Sequence, residues 1–324
     1  MKKIKLGTIG SGDIVHSILD AVRQTEGIEC AAIYSRSLEK GNALAKKYQV
    51  KSIYTDMQAF LADKEMNFVY IASPNSLHYE QTKMALLAGK NVICEKPFCV
   101  KLEEAKELDR LAKEKNLILV EAVTTTFLPN YEILKRELPK VGRIRLVMSN
   151  YSQYSSRYDK LLAGELPNVF NPEFAGGSLM DINFYNVFLN VALFGKPEEA
   201  VYYPNFCDSI AIDSSGVLVM QYLDFVSQNA GGKDTFGLNF FQIEGEKGYI
   251  YIEDGSNGLK SIKVVTKDTE KIFNEQNNLD RWGYEVQNLT KIILADDRDA
   301  IRQRMKITLD VVEVIEKART AAGI

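Results

Sequence analysis

Five short apolar runs alternate with helical stretches across the first 122 residues. They are IKLGTIG (4–10), IECAAIY (28–34), FVYIAS (68–73), NVICE (91–95) and LILVEA (117–122). Between them lie segments such as LHYEQTKMALLAG (77–89) and LEEAKELDRLAKEKN (102–116). In the latter, Leu102, Ala105, Leu108, Leu111 and Ala112 recur at helical spacing while charges cover the other face. Strand and helix in this rhythm predict a parallel sheet wrapped on both sides. Such sheets bind ligands beyond the carboxyl ends of their strands.

The turn after the first strand reads Gly7-Thr8-Ile9-Gly10-Ser11-Gly12-Asp13-Ile14-Val15. Its core, Gly10-x-Gly12-x-x-Val15, replaces the third glycine of the usual dinucleotide fingerprint. Its setting, between a strand and a helix, makes it a Rossmann phosphate turn. Glycines there let the backbone approach a pyrophosphate, and the helix N-terminus favours its charge. Gly10, Ser11, Gly12, Asp13 and Ile14 are therefore expected at the cofactor; a simple tight turn is the competing reading. An NAD site usually ends the second strand in a carboxylate, but Tyr34-Ser35-Arg36-Ser37 stands here and no carboxylate comes before Glu39. Arg36 and the hydroxyl of Ser35 suit a 2′-phosphate, so NADP is expected, with NAD as the alternative. A solvated loop arginine would have the same sequence.

Composition excludes other classes. A net charge of −3 gives no electrostatic reason for nucleic acid or an anionic membrane as partner. No apolar run reaches the roughly 18–20 residues of a membrane span. MKKIKLGTIG starts positive but has no sustained apolar region, so it reads as the first strand. Cys30, Cys94, Cys99 and Cys207 form no Cys-x-x-Cys pair, and His16 and His78 are the only histidines. Reduced thiols, a cytoplasmic protein and no metal site are expected.

After residue 122 strand-like runs follow one another: RIRLVMSNYS (143–152), GVLVMQYLDF (216–225), GLNFFQIEG (237–245), YIYIED (249–254) and SIKVVTK (261–267). Short turns between several of them imply antiparallel pairing. In YIYIED, Ile250 and Ile252 share one face and Tyr249 and Tyr251 the other. The expected fold is α/β, with a Rossmann doubly wound parallel sheet over 1–122. Over 123–324 follows an α+β domain with a large open, mainly antiparallel sheet, closed by a helix over 299–320. An open sheet face needs cover, which predicts a homodimer or higher homo-oligomer.

The fourth of these runs, NVICE, is closed by Glu95 and followed by Lys96-Pro97, at a strand's carboxyl end where a nicotinamide would lie. Hydride transfer from a carbinol also releases a proton, and an ammonium held by Glu95 would stabilise the oxygen. A surface turn with a chance ion pair is the bland reading.

These residues together resemble the Gfo/Idh/MocA oxidoreductase family, in its glucose-fructose oxidoreductase and dihydrodiol dehydrogenase-like branch. The match runs through Gly7-x-x-Gly10-x-Gly12, Ser73-Pro74-Asn75-x-x-His78, Ala88-Gly89-Lys90-x-Val92-x-x-Glu95-Lys96-Pro97 and Gly176-Gly177-x-Leu179-x-Asp181-Ile182. The resemblance implies reversible oxidation of a hydroxyl on a sugar, polyol or related alcohol, with Lys96 catalytic. It places Asn75 near the nicotinamide ribose, alongside Ser73 and Pro74; a helix-capping role for Asn75 or Ser76 competes. His78 is read as a helix-face residue beside the cofactor. The family commonly carries Asp and then His four residues on. Here Asp181 is followed by Tyr185, as in some members of the named branch, and on one helix the two would face the same way. Tyr185 is the expected proton-transfer group, with Asp181 orienting it or Lys96. A buried Tyr185 bonded to Asp181 is the structural alternative.

Asn183 and Phe188 stand where the family often has Gly and, in inositol-dehydrogenase-like members, a second Asp. The segment Thr124–Pro129 lacks an arginine frequent before Phe-x-Pro. Inositol specificity therefore does not carry over. Arg157 and Tyr158, in a predicted loop, are read either as substrate contacts or as a solvated pair. Two rival functions remain open at this point: a redox-neutral enzyme holding its cofactor tightly (elimination or glycoside cleavage through a keto intermediate), and a non-enzymatic cofactor sensor.

Overall fold

The structure, a computed structural model, describes residues 3–207, 210–276 and 279–324. The chain falls into two compact units, Met1–Val123 with Leu279–Leu309, and Thr124–Asn278 with Asp310–Ile324. The first unit begins with β1 (Ile4–Ile9), α1 (Asp13–Arg23), β2 (Ile28–Tyr34), α2 (Leu38–Tyr48), β3 (Ser52–Tyr54) and α3 (Met57–Ala62). It continues with β4 (Phe68–Ile71), α4 (His78–Leu87), β5 (Asn91–Glu95), α5 (Leu102–Glu114) and β6 (Leu119–Ala122). The sheet order is β3-β2-β1-β4-β5-β6 and every pair is parallel. All residues of β4, β5 and β6 are buried, which is why these strands read as unbroken apolar runs.

The strand order reverses between β1 and β4, opening a crevice at their carboxyl ends. Gly10 stands there with φ +119°, and a Cβ on it would lie 2.7 Å from the Ala72 carbonyl oxygen. Glycine alone tolerates both conditions.

In the second unit, α6 (Pro129–Glu137), β7 (Ile144–Ser152), α7 (Ser156–Leu162), α8 (Ser178–Asp181) and α9 (Phe184–Phe194) come first. Then follow β8 (Glu199–Cys207), β9 (Ile210–Gln221), β10 (Val226–Gly232), β11 (Phe240–Gly245), β12 (Gly248–Glu253), α10 (Gly255–Gly258), β13 (Ser261–Thr266) and β14 (Glu270–Phe273). The sheet order is β14-β13-β12-β11-β7-β10-β9-β8, with β10 parallel to β7 and the other pairs antiparallel. One face buries Val147, Leu218, Met220, Phe241, Ile243, Ile250, Ile252 and Ile262. The other carries Leu146, Met148, Val219, Tyr249 and Tyr251, all half-exposed.

Two helices close the chain, α11 (Arg281–Leu294) and α12 (Arg298–Ala322). The sequence assigned all of 123–324 to the second domain, and this is corrected: Leu279–Leu309 belong to the first unit. The reason is apolar. Val286, Leu289 and Ile293 of α11 join Ile18 and Val22 of α1 and Leu6 of β1 around one small cavity.

A polar network rather than apolar periodicity seats α9. Asn183, Asn186 and Asn190 lie on its buried side. Asn183 donates to the Asn229 carbonyl (3.0 Å), Asn186 to the Ala230 carbonyl (2.9 Å), and Asn190 to Asn229 Oδ1 (2.8 Å). Ser149, Ser227 and Ser256 hydroxyls donate to Asn229, Asn190 and Asn186. Buried polar groups of this kind are costly to orphan. Asn190→Leu leaves the Ser227 hydroxyl without its Asn190 acceptor and is expected to cost about 2–3 kcal/mol. Urea unfolding at constant m measures it; an unchanged midpoint would show that the network contributes nothing to stability.

Candidate functional site

In the first unit the site residues gather at the carboxyl ends of β1, β4 and β5. Gly12 occupies the N-cap position of α1, no side chain caps the helix, and a Cβ on Gly12 would meet nothing within 4 Å. The first-turn N–H groups of α1 therefore face an open approach, the arrangement a pyrophosphate needs. Gly12 and Asp13 are exposed, and Ser11 and Ile14 half-buried. Ser73 follows β4 with its Oγ buried and without a hydrogen-bond partner, suited to a ribose or amide group. Together these residues fit a dinucleotide. Arg36 is exposed at the end of β2, as a phosphate ligand must be. Ser35 is not: it is buried, and its Oγ accepts from the Ser37 N–H (3.3 Å). The expectation that the Ser35 hydroxyl meets the 2′-phosphate is corrected on that ground.

β5 ends in Glu95, whose residue surface is 8% exposed. The Tyr70 hydroxyl donates to its Oε1, and the Lys96 N–H to its Oε2 (3.2 Å). Burial pushes the Glu95 carboxyl up, and the Tyr70 hydrogen bond, the Lys96 ammonium and Arg281 pull it back. Lys96 itself is half-buried, and the Lys96–Pro97 peptide is cis. Pro74 and Asn75 are half-buried. α4 starts at His78 with Leu77 at its N-cap position, directly after a short 3-10 turn over Asn75–Leu77.

His78 corrects a further expectation. It is fully buried, with Nδ1 at 2.9 Å from the Pro97 carbonyl oxygen and Nε2 at 2.9 Å from that of Ser73. The ring bridges the two turns instead of presenting itself to a ligand. Burial lowers its pKa, against the raising effect of those carbonyls.

Two carboxylates that the sequence reading passed over complete this layer. Glu121 of β6 accepts from the Phe98 N–H (2.9 Å) and the Thr308 hydroxyl (2.8 Å), so it clamps the far side of the Lys96-Pro97 turn. Burial pushes it up to about 7. Glu285 of α11 is 1% exposed and driven well up by burial and by the neighbouring Glu95 charge. Glu121 had a signal like that of Glu95, a carboxylate near the end of an apolar strand. Glu285 had none.

In the second unit the Gly-Gly segment is built around a buried acid. Gly177 has φ +106°, and a Cβ on it would lie 2.0 Å from Asp213 Oδ1. Asp213 Oδ2 accepts from the Leu179 N–H (2.7 Å) and the Tyr202 hydroxyl (2.7 Å). Burial pushes this carboxyl up to about 6 against those bonds. α8 thus starts from a fixed point.

Asp181 and Tyr185 do not share one uninterrupted helix as expected. α8 ends at Asp181, Ile182 and Asn183 form a turn, and the Asn183 N–H reaches the Ser178 carbonyl five residues back (2.9 Å). The Asp181 carboxylate accepts from Lys233, which the sequence reading did not single out. The Tyr185 ring meets Tyr151 edge-on at 5.9 Å, and the Tyr151 hydroxyl accepts from Asn257 (2.7 Å). Arg157 and Tyr158 lie in α7, not in a loop; Arg157 is exposed and Tyr158 packs against Phe170 at 5.8 Å.

All four cysteines are free thiols. Among the described residues no cluster of three His, Cys, Asp or Glu could hold a metal, and no helix is long and apolar enough to cross a membrane.

The Gfo/Idh/MocA model, described as an oxidoreductase family with an NAD-binding Rossmann fold, matches residues 4–123. The chain is 37% identical over 290 residues to the uncharacterized oxidoreductase YgjR of Escherichia coli (strain K12), covering 90% of this chain and 88% of the relative. It is 33% identical over 323 residues to scyllo-inositol 2-dehydrogenase (NADP(+)) IolU of Bacillus subtilis (strain 168), covering 99% and 98%. A 3-ketoreductase from Actinomadura kijaniata, solved with NADP and TDP-benzene, superposes with a TM-score of 0.87 at 20% identity over 98% of both chains, a likeness of fold.

The Glu121 carboxyl has an ordinary value of 4.5 and a folded value of about 7. Between these pH values the unfolded chain has lost a proton that the folded chain keeps, so this group's contribution to stability falls as pH rises. Glu121→Gln keeps an acceptor for Phe98 and removes the titration. The stability of the variant relative to wild type is expected to rise by about 2–3 kcal/mol between pH 4.5 and pH 8. Urea unfolding at both pH values checks this, and a pH-independent difference would contradict a buried proton on Glu121.

Proposed function

This chain belongs to the Gfo/Idh/MocA oxidoreductase family, and from that premise we propose that it transfers hydride between NADP(H) and a hydroxyl-bearing carbon of a sugar, polyol or cyclic diol. The observation that carries the proposal is the Lys96 turn. It stands at the carboxyl end of β5, backed by the buried Glu95 and held from two sides by His78 and Glu121. A turn whose backbone is fixed in this way at the ligand edge of a doubly wound sheet gives its lysine a defined point of departure for chemistry.

When bound, the nicotinamide supplies or accepts the hydride; the protein has to manage the oxygen and the proton. Lys96 stabilises negative charge on the reacting oxygen as the carbon–hydrogen bond breaks or forms. Tyr185 takes the hydroxyl proton in oxidation and returns it in reduction. Gly10, Gly12 and the start of α1 hold the pyrophosphate, with Ser11, Asp13 and Ile14 in the same turn. Ser73, Pro74 and Asn75 line the ribose side, and Arg36 grips the 2′-phosphate. NADP as the working cofactor is supported by the exposed Arg36 and by the NADP(+) dependence in the name of the B. subtilis relative. The half-exposed face with Leu146, Met148, Tyr249 and Tyr251 would be covered by a second copy of the chain. The free thiols accord with a cytoplasmic protein.

Nicotinamide absorbance over a panel of aldoses, polyols, cyclic diols and their ketones, with NADP and NAD in parallel, tests the proposal. Turnover with NADP is expected, reduced about 10³-fold or more in Lys96→Ala. Arg36→Ala should raise the KM for NADP at least about tenfold and leave that for NAD unchanged. Turnover with NAD alone would sink the Arg36 assignment. Stoichiometric cofactor retained through purification, with product formed and no net reduction, would favour the redox-neutral enzyme; full function in Lys96→Ala would favour the sensor.

A further inference from the structure

Glu285 is a buried acid that neither the motifs nor the proposed steps use. It stands on α11, is 1% exposed, and its Oε1 finds no hydrogen-bond partner in the protein. With Tyr70 it lines the small cavity under α11. Leu6, Ile18, Val22, Ile28 and Ile93 supply apolar walls there from β1, α1, β2 and β5. The Tyr70 hydroxyl donates to Glu95, which also takes the Lys96 N–H. The hydrogen-bond donors therefore stand on the Glu95 side of this pair of acids. A buried carboxyl in an apolar setting avoids the cost of an uncompensated charge by keeping its proton.

We propose that α11 is a pH-sensitive latch, docked on the sheet with a proton on Glu285 that it must release to water when it opens. Five titratable or charged groups act on Glu285: Tyr70 of β4, Glu95 of β5, Glu121 of β6, Arg281 of α11 and Arg304 of α12. Glu95 and Glu121 favour the neutral acid, and Arg281 and Arg304 favour the anion. Burial is the largest influence and sides with the carboxylates, so the balance is the protonated form. β1, β2 and α1 meet the cavity with the apolar side chains named above. The latch does not depend on the reaction proposed for the protein. It bears on the support of the Lys96 turn all the same, because opening admits water to Tyr70, the partner of Glu95.

Closed, Glu285 holds its proton. Open, the carboxyl stands in water with its ordinary value of 4.5, and above that pH it has lost the proton. Each opening then releases one proton, so docking is strongest in acid and weakens as pH rises. The opening constant of α11 rises about tenfold per pH unit until the closed form itself ionises.

Hydrogen exchange of the α11 amides measures this constant, followed by mass spectrometry on the full chain and corrected for intrinsic exchange. The series runs upward from pH 4.5, the ordinary value of the carboxyl. Wild type is compared with Glu285→Gln, because glutamine keeps the shape and has no proton to lose. The ratio of the wild-type to the variant opening constant is expected to grow about tenfold per pH unit. A ratio that stays constant with pH would overturn the latch and put an anion on Glu285 in the closed form. Circular dichroism reports folding, and Glu285→Leu replaces the glutamine variant if that one does not fold. A pH-independent opening constant in wild type overturns the latch without any variant.

Discussion

A carboxylate that leaves water must be compensated, and the compensation of Glu95 organises the first unit's site. Its oxygens take the Tyr70 hydroxyl and the Lys96 N–H, so the chain leaving β5 has to turn where Lys96 stands. His78 ties that turn to the one after β4, and Glu121 ties it to β6 and α12. Three carboxyls, Glu95, Glu121 and Glu285, share this buried layer, where mutual repulsion and desolvation both favour keeping protons on some of them. The return of α11 to this unit is what brings Glu285 and Arg281 into the set.

The second unit solves a similar problem with neutral groups. Asparagines 183, 186 and 190 on α9 meet Ser227 and Asn229 of β10 and Ser149 of β7, and every member finds partners. Such a network specifies one seating of the helix where an apolar interface would allow several. Tyr185 is carried on that helix, and Asp213 fixes the turn that precedes it. Both units therefore use buried polar groups to anchor the segment that carries one of the two side chains proposed for the reaction.

This division explains what was legible in the sequence. The parallel sheet was, because β4, β5 and β6 are buried on both faces and their apolar runs have no competing explanation. Gly10, Gly177 and the Glu95-Lys96 step were also visible, since each residue type answers a local need. β10 was not: its inward residues are Ser227, Asn229 and Gly231, so the strand lacks the apolar alternation that would announce it. β8 was hidden by Pro204 and by an outward face of Val201 and Tyr203. The roles of His78, Ser35 and Lys233 depend on partners far away in sequence, and spacing alone carries no information about them. The helix expected through Asp181 and Tyr185 breaks because Asn183 is drawn into the polar network and packs against Gly231.

The proposed role of Lys96 is to serve a hydride transfer. Its most direct test is a single turnover with NADPH deuterated at both C4 positions and a ketone drawn from the active substrate pairs, with the alcohol product analysed by mass spectrometry. Wild type is predicted to place one deuterium on the carbinol carbon, and Lys96→Ala to do so more slowly by about 10³-fold or more. An alcohol without deuterium, or equal rates in the two proteins, would contradict it.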